Sequence, residues 1–194
     1  MAYNITHDNN LIAMAFGPGL QNPPAFSIGI DVMKVRIPGR ESLESFITTM
    51  GEQVGPSRHL WDKSLIHVQL TQREHSQLRS TVPDSERIKV FFWMWTLKEA
   101  YTKALGLGLG FDFKRVEFDM SNRVVRIDGA EPMGWRFRMF TLMDGEDLYE
   151  GVIAEYLGGG THTEVIVETE QPNWLKIYSA VTFTENAIET LKAE

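Results

Sequence analysis

The sequence has no cysteine among its 194 residues. This absence excludes a disulfide-bonded scaffold, thiolate zinc sites, iron–sulfur clusters and a cysteine nucleophile. No segment approaches the run of roughly 18 apolar residues that a membrane-spanning helix needs, and the first residues lack the basic and apolar stretches of a secretory signal. We therefore predict a cytoplasmic protein with no membrane partner.

Basic residues are in the minority. Lys and Arg number 19 against 26 Asp and Glu, which gives a formal net charge of −7 at pH 7. Because a nonspecific nucleic-acid binder needs a positive field, we expect no nucleic-acid partner. Hydrophobic residues make up 43% of the chain and charged residues 23%. This is ordinary globular usage and predicts a folded core.

Two features that could carry chemistry give only weak signals. Residues 106–110, GLGLG, follow a predicted helix instead of opening one, and they lack the Lys-Ser/Thr ending of a phosphate-binding loop. We interpret them as a loop after a helix. The histidines show no zinc-ligand spacing, so surface or capping roles are expected for all of them. They are His7, His59, His67, His75 and His162.

Residues 85–105 form the most strongly patterned segment. Apolar residues recur there at spacings of three and four around most of the circumference, which predicts a central helix packed on more than one side. Gly106 is a natural residue to end this helix. Earlier in the chain, Leu43, Phe46 and Met50 recur at helical spacing, and a capping box begins at Thr71.

Apolar residues alternate or run together on both sides of the central helix, which predicts strands. A buried strand is expected over residues 11–16 and a second over 26–32. Further strands are expected over 113–118, 124–127, 135–140 and 151–156. The predicted class is α+β, with an antiparallel sheet packed around the long central helix.

Glu99 and Lys103 are an i, i+4 pair with two open interpretations. The simpler one is a solvated helix pair that contributes about 0.2–0.5 kcal/mol. The other follows from placement, because both residues continue the most apolar stripe of the helix after Trp95. A carboxylate and an ammonium at the rim of a cleft would serve a hard cation and a phosphate.

Asp31 is the second candidate for chemistry. It is expected to end a strand whose preceding residues are apolar, and an acid at such an edge costs free energy unless it is paired or bound to a metal. The alternative is an aspartate that caps the following turn. The spacing along the chain leaves open whether Asp31 and Glu99 meet.

Four segments resemble blocks of the 4′-phosphopantetheinyl transferase superfamily. Residues 28–32, IGIDV, and 95–106, WTLKEAYTKALG, resemble its signature, G-[IV]-D followed by W-[ST]-x-K-E-[AS]-x-x-K. Residues 4–7, NITH, and 70–74, LTQRE, resemble two further blocks, and all four stand in the family's order. The likeness is nearest to the surfactin-synthetase-activating type, which includes the aminoadipate-reductase-activating enzymes. It implies the fold of that family.

The resemblance implies transfer of the 4′-phosphopantetheine arm from coenzyme A to a serine of an apo acyl or peptidyl carrier protein, a holo-acyl-carrier-protein synthase activity. By this carry-over Asp31 and Glu99 bind Mg²⁺, and Glu99 also accepts the serine proton. Lys103 neutralises charge on the transferred phosphate. His7 and Lys98 join Lys103 in binding coenzyme A.

Two departures from the family pattern shape further expectations. Met33 stands where many bacterial members have a second acid, so the metal is expected to take an additional water. Most of the family's N-terminal half is not recognisable, so we expect residues 1–157 to form the catalytic lobe of the C-terminal type and residues 158–194 an additional α/β tail. A homo-oligomer could complete a two-lobed site. The alternative is a truncated, non-catalytic homologue that binds carrier proteins or other partners.

Overall fold

The computed structural model describes residues 1–18, 27–37, 39, 41–51, 70–79, 81–108 and 111–193. The class is α+β, as predicted. The strands are β1 (Ala2–Asp8), β2 (Leu11–Gly17), β3 (Ile28–Lys34), β4 (Val116–Asp119), β5 (Val124–Ile127), β6 (Trp135–Asp144), β7 (Asp147–Tyr156) and β8 (Glu164–Val167). The helices are α1 (Leu43–Gly51), α2 (Gln72–Gln77), α3 (Asp84–Leu105) and α4 (Ala180–Ala193), with a 3₁₀ turn at Phe113–Arg115.

The long helix α3 is the centre of the fold. It packs on β3 and β7, and most of its circumference is buried, as its all-round apolar pattern predicted. Gly106 ends it in the left-handed conformation with φ of 69°, which glycine adopts at little cost. The predicted helix and its cap are therefore confirmed.

Gly29 sets how closely β3 approaches α3. A Cβ atom at this position would lie 2.1 Å from the Ala100 carbonyl oxygen and 2.4 Å from the Ala104 nitrogen. Backbone atoms cannot yield to such an overlap, so only glycine permits the contact. The close packing brings Asp31, two residues further along β3, next to the last turns of α3.

A four-stranded sheet, ordered β3-β7-β6-β8, carries α3 on one face. The pairs β3–β7 and β7–β6 are antiparallel, as expected, but β8 pairs with β6 in parallel. The predicted antiparallel pairing is therefore confirmed for β3, β7 and β6, and β8 adds a parallel strand at the edge. Neighbouring parallel strands need a crossover connection, and here β7 and the segment after it connect β6 to β8.

The hairpin of β1 and β2 lies beside the edge strand β3 and joins it through side chains. The Ile30 N–H donates to Asn4 Oδ1 at 3.0 Å, and the Lys34 N–H donates to Asp8 Oδ2 at 2.7 Å. An edge strand exposes alternate N–H groups, and here side chains of β1 satisfy them. The hairpin thereby extends the sheet without a backbone ladder to β3.

The strand predicted over residues 11–16 exists, but the expectation that it is buried is wrong. Alternate residues of a strand point to opposite faces, and only the face of the hairpin that carries Ala2 and Ala15 packs on the sheet. The other face is exposed. Its large apolar residues are Tyr3, Ile5, Ile12, Met14 and Phe16.

After β7 the chain first contacts the four-stranded sheet and then leaves that sheet. β8 belongs to the four-stranded sheet, and the ring of Trp174 packs on Phe140 at a centroid distance of 5.8 Å. α4 follows, with mostly exposed side chains. The division at residue 157 stays a prediction, although β8 ties the beginning of the predicted tail to the main sheet. Within the described ranges, no helix combines the length and apolar character that crossing a bilayer requires.

Candidate active site

Asp31 lies in the interior of β3, so the expectation that it ends the strand is wrong. β3 continues to Lys34 because Met33 and Lys34 pair with Glu150 and Tyr149 of β7. Asp31 is only 4% exposed. A turn-capping role is thereby excluded, and the carboxylate sits inside the molecule, where it needs a partner.

Lys103 supplies that partner from the last turn of α3. Its Nζ lies 2.7 Å from Asp31 Oδ1 and 3.0 Å from Thr6 Oγ1. The ion pairs among the described residues do not include Glu99 with Lys103. The interpretation of a solvated helix pair is therefore wrong, because the packing of β3 on α3 offers Lys103 a nearer carboxylate.

Glu99 lies one turn before Lys103 and is 9% exposed. Burial, the largest cause, and the nearby Asp31 together raise its pKa to about 7, against Lys103, which lowers it. Burial also raises the pKa of Asp31, against Lys103, Thr6 and the Val32 N–H, all of which favour the charged form. The fold thus brings two carboxylates and one ammonium together, as the Asp31, Glu99 and Lys103 predictions require.

Each of the two carboxylates has a buried oxygen that makes no hydrogen bond to a described residue. Asp31 Oδ2 and Glu99 Oε1 are buried, and neither has a hydrogen-bond partner in the part of the chain that the structure describes. Mg²⁺ is commonly held by one or two carboxylates and completed by phosphate oxygens and waters. The donor set fits that ion.

The same donor set does not form a self-sufficient metal centre. The described ranges contain no cluster of three or more acidic or histidine side chains that could hold a metal. Met33, which faces the same side as Asp31, packs against the core instead. A cation at this site would therefore depend on ligands from a substrate.

Lys98 belongs to a different cluster. Its Nζ donates to Glu74 Oε2 at 2.7 Å and to the Phe113 carbonyl at 3.0 Å, and the side chain is fully buried. Burial lowers its pKa, and Glu74 opposes that shift. Its expected contact with coenzyme A stays a prediction, one that this burial weighs against, and we leave Lys98 out of the proposed site.

His7 lies on the face of β1 that points away from the Asp31 cluster. Its neighbours Thr6 and Asp8 contact β3, so alternation turns His7 outward, where it is exposed. Its role in binding coenzyme A stays a prediction. His59 and His67 lie outside the described residues, as do residues 109–110 of the glycine-rich segment.

The sequence alone did not identify Thr6 as a residue of the candidate site. Its hydroxyl bonds Asp31 and Lys103 at once, and the side chain is 6% exposed. The signal that could have found it is the alternation of β1, which puts Asn4, Thr6 and Asp8 on one face. That face could be identified as the inner one only with β3 in place.

Comparison with known proteins supports the resemblance. The family model of the 4′-phosphopantetheinyl transferase superfamily matches residues 27–153. A 4′-phosphopantetheinyl transferase, pptA, from Paxillus involutus is 39% identical over 191 residues, 98% of this chain and 67% of that protein.

Two vertebrate relatives match over a smaller share of this chain and of their own length than the Paxillus protein does. The L-aminoadipate-semialdehyde dehydrogenase-phosphopantetheinyl transferase of Xenopus laevis is 32% identical over 119 residues, 61% of this chain and 32% of its own length. The human protein of that name is 31% identical over 146 residues, 70% of this chain and 40% of its own length. The chain thus spans about two thirds of the Paxillus protein and less than half of these two.

The matched range contains Asp31, Glu99 and Lys103, the three side chains that the fold brings together, and it covers more than half of the chain. The chain therefore belongs to the 4′-phosphopantetheinyl transferase superfamily, whose members transfer the phosphopantetheine group of coenzyme A to carrier proteins.

Proposed function

We propose that this chain transfers the 4′-phosphopantetheine arm of coenzyme A to a serine of an apo carrier protein with the help of Mg²⁺. The proposal is carried by one observation. Asp31 and Glu99 each have a buried carboxylate oxygen without a partner among the residues that the structure describes, beside the ammonium of Lys103. Phosphoryl transfer depends mainly on positioning and on stabilising charge. This cluster supplies groups for both tasks.

In the proposed reaction the serine oxygen of the carrier attacks the phosphorus that bears the pantetheine. A new P–O bond forms as the pyrophosphate P–O bond breaks, and adenosine 3′,5′-bisphosphate leaves. When bound, Mg²⁺ would supply positive charge to the pyrophosphate, and Asp31 Oδ2 and Glu99 Oε1 are the atoms that would hold it.

The other roles fall to Lys103 and Glu99. Lys103 Nζ, which is half-buried next to Asp31, would bind the oxygens of the transferred phosphate and balance their charge. Glu99 would take the serine proton, directly or through a water. Glutamate carboxylates are among the side chains that serve as general bases in enzymes.

The proposed partners are coenzyme A and an apo acyl or peptidyl carrier protein in the cytoplasm. The vertebrate relatives are named for an aminoadipate-semialdehyde dehydrogenase. We therefore include a carrier domain of that enzyme class among the candidate substrates.

A second candidate function is partner binding without catalysis, and one observation favours it. The outer face of the β1–β2 hairpin exposes five large apolar side chains, and contiguous apolar surface often marks an interface. A second copy of this chain is one partner that such a face could accept. A turnover assay separates this function from transfer.

The transfer assay uses the purified chain, coenzyme A, Mg²⁺ and an apo carrier of each class, and weighs the carrier by intact mass spectrometry. We expect a gain equal to one phosphopantetheine arm, which a chelator or replacement of the carrier serine by alanine abolishes. The three carrier classes are acyl carrier proteins, peptidyl carrier proteins and the carrier domain of an aminoadipate-semialdehyde dehydrogenase. If none of them gains this mass while circular dichroism shows that the chain is folded, the result would favour the binding function.

A further inference from the structure

Thr6 contacts two residues of the proposed site at once. Its Oγ1 donates to Asp31 Oδ1 at 3.0 Å and accepts from Lys103 Nζ at 3.0 Å. The side chain is 6% exposed, so water does not compete freely for these bonds. Thr6 also lies outside residues 27–153, the range that the family model matches.

We propose that Thr6 is a positioning residue of the active site. Its hydroxyl holds Asp31 Oδ1 and Lys103 Nζ together and thereby leaves Asp31 Oδ2 as the oxygen available to a divalent cation. The inference rests on the proposed function, since it concerns the same cluster.

The chemistry of the hydroxyl suits this role. A carboxylate can only accept hydrogen bonds and an ammonium can only donate them, whereas a hydroxyl does both. Thr6 uses its single proton on Asp31 and a lone pair on Lys103. A valine would keep the shape of the side chain and lose both bonds.

The two oxygens of Asp31 have different surroundings because of this arrangement. Oδ1 accepts from Thr6 and from Lys103, while Oδ2 has no partner within the described ranges. The last torsion of an aspartate side chain is soft. Without the hydroxyl, Lys103 alone would select the oxygen that it binds, and the free oxygen would no longer be defined.

The same bond restrains Lys103. Its ammonium has three N–H groups, of which the described contacts use two, one on Asp31 and one on Thr6. A long lysine side chain loses considerable rotamer freedom when it is held. Two anchors 3.0 Å or less away keep its charge in place and leave one N–H for a phosphate oxygen.

Thr6 is itself held by its neighbours on β1. Asn4 and Asp8, two residues to either side, bond the backbone of β3 at Ile30 and Lys34. Thr6 is also β-branched, which restricts its first torsion. The hydroxyl is therefore delivered to the site by a strand that is fixed on both sides.

The experiment compares Thr6→Val with Thr6→Ser, which keeps the hydroxyl. The matched control is Thr163→Val, which removes the two bonds of another threonine hydroxyl, from the Trp135 N–H and to the Pro132 carbonyl, without touching Asp31 or Lys103. Mn²⁺ binding in the presence of coenzyme A is titrated by electron paramagnetic resonance, with coenzyme A alone as the blank. Thermal denaturation reports the stability of each variant.

We expect Thr6→Val to weaken Mn²⁺ binding by about 10- to 100-fold, the range for groups that orient metal ligands. Thr6→Ser should restore the affinity. Thr163→Val should lower the melting temperature and leave the affinity close to wild type. Wild-type affinity in Thr6→Val, or an equal loss in Thr163→Val, would overturn the proposal, and so would wild-type protein without saturable Mn²⁺ binding. Saturable binding without transfer would refute the proposed function and leave the role of Thr6 supported.

Discussion

The chemistry that we propose depends on three side chains with different surroundings. Asp31 is paired with Lys103 on one oxygen, and its other oxygen has no hydrogen-bond partner among the described residues. Glu99 is buried with a carboxylate oxygen that finds no partner among the described residues, and its pKa is raised to about 7. Burying a charged carboxylate without a partner costs free energy, and a bound cation would offset that cost.

Replacement of Glu99 by glutamine tests its role. The Glu99→Gln variant replaces a proposed anionic metal ligand with a neutral one and lacks the proposed base, so we expect the transfer rate to fall by about 100-fold or more. The fold should persist, because a neutral amide avoids burying a charge at a site that is 9% exposed.

Initial rates and thermal denaturation measure the two effects of Glu99→Gln separately. Glu189→Gln, at an exposed position of α4, is the matched control and should leave both unchanged. A Glu99→Gln variant that turns over at the wild-type rate would contradict the proposed site.

A buried cluster around Glu74 ties α3, the helix that carries Glu99 and Lys103, to α2 and β4. Its Oε2 bonds the Thr71 N–H of the capping box at 2.8 Å and the Lys98 ammonium at 2.7 Å. Its Oε1 accepts from the Phe118 N–H at 3.0 Å. One carboxylate thus joins α2, α3 and β4, which makes the capping box a tertiary contact as well as a local one.

Loss of Lys98 should act on stability and spare ligand binding. Lys98→Met leaves the Glu74 carboxylate buried without its cation, which costs about 3–5 kcal/mol in the free energy of unfolding. Urea denaturation measures this loss of stability. In the absence of urea, and below the thermal transition of the variant, its affinity for coenzyme A should match that of wild type. A stable variant with weakened coenzyme A binding would restore Lys98 to the site.

Gly29 is the second element-level contact on which the site depends. Gly29→Ala places a methyl group within 2.1 Å of the Ala100 carbonyl, so β3 must move away from α3. We expect a loss of about 1–3 kcal/mol or more in the free energy of unfolding, together with a loss of transfer as Asp31 moves away from Lys103.

The control for Gly29→Ala is Gly160→Ala, where an added Cβ meets nothing within 4 Å. Chemical denaturation and the transfer assay applied to both variants check the prediction. Equal behaviour of the two would show that β3 does not depend on this contact.

Glu150, like Glu74, is a buried acid outside the proposed site, and it affects the stability of the whole molecule. Glu150 of β7 is 1% exposed, and neither carboxylate oxygen has a partner in the described part of the chain. Burial raises its pKa to about 9, while Lys89 lowers it and Glu86 raises it. The side chain is therefore protonated in the folded state at neutral pH.

This shift makes the stability of the protein depend on pH. The unfolded chain releases the Glu150 proton near its ordinary pKa of 4.5, and the folded chain holds it up to about 9. The folded state then binds more protons between these values, so the free energy of unfolding falls as pH rises through this window and levels off above it.

Glu150→Gln removes that titration. We expect the stability of the variant relative to wild type to rise with pH between about 5 and 9, at up to about 1.4 kcal/mol per pH unit. Urea denaturation at several pH values measures the difference, and Glu131→Gln, at an exposed site, should show none. A constant difference across the pH range would show that Glu150 is ionised in the folded protein.

Much of the architecture follows from local pattern. The length of α3, its glycine end, the capping box at Thr71 and the period-two strands depend on residues within a few positions of one another, so spacing along the chain predicts them. The parallel pairing of β8 and the exposure of the hairpin's outer face were not predictable in this way. Both depend on which elements meet, and the alternation of a strand does not say which face is covered.

The candidate site also combines features that local sequence predicts with contacts that only tertiary packing decides. Motif and spacing alone identified Asp31, Glu99 and Lys103 as candidates for chemistry, because their types and order are local properties. That Lys103 pairs with Asp31, 72 residues away, and not with Glu99 was decided by the packing of β3 on α3 at Gly29. Other long-range contacts bury Lys98 with Glu74 and turn Thr6 inward and His7 outward. Such contacts between remote segments exist only once the core has formed.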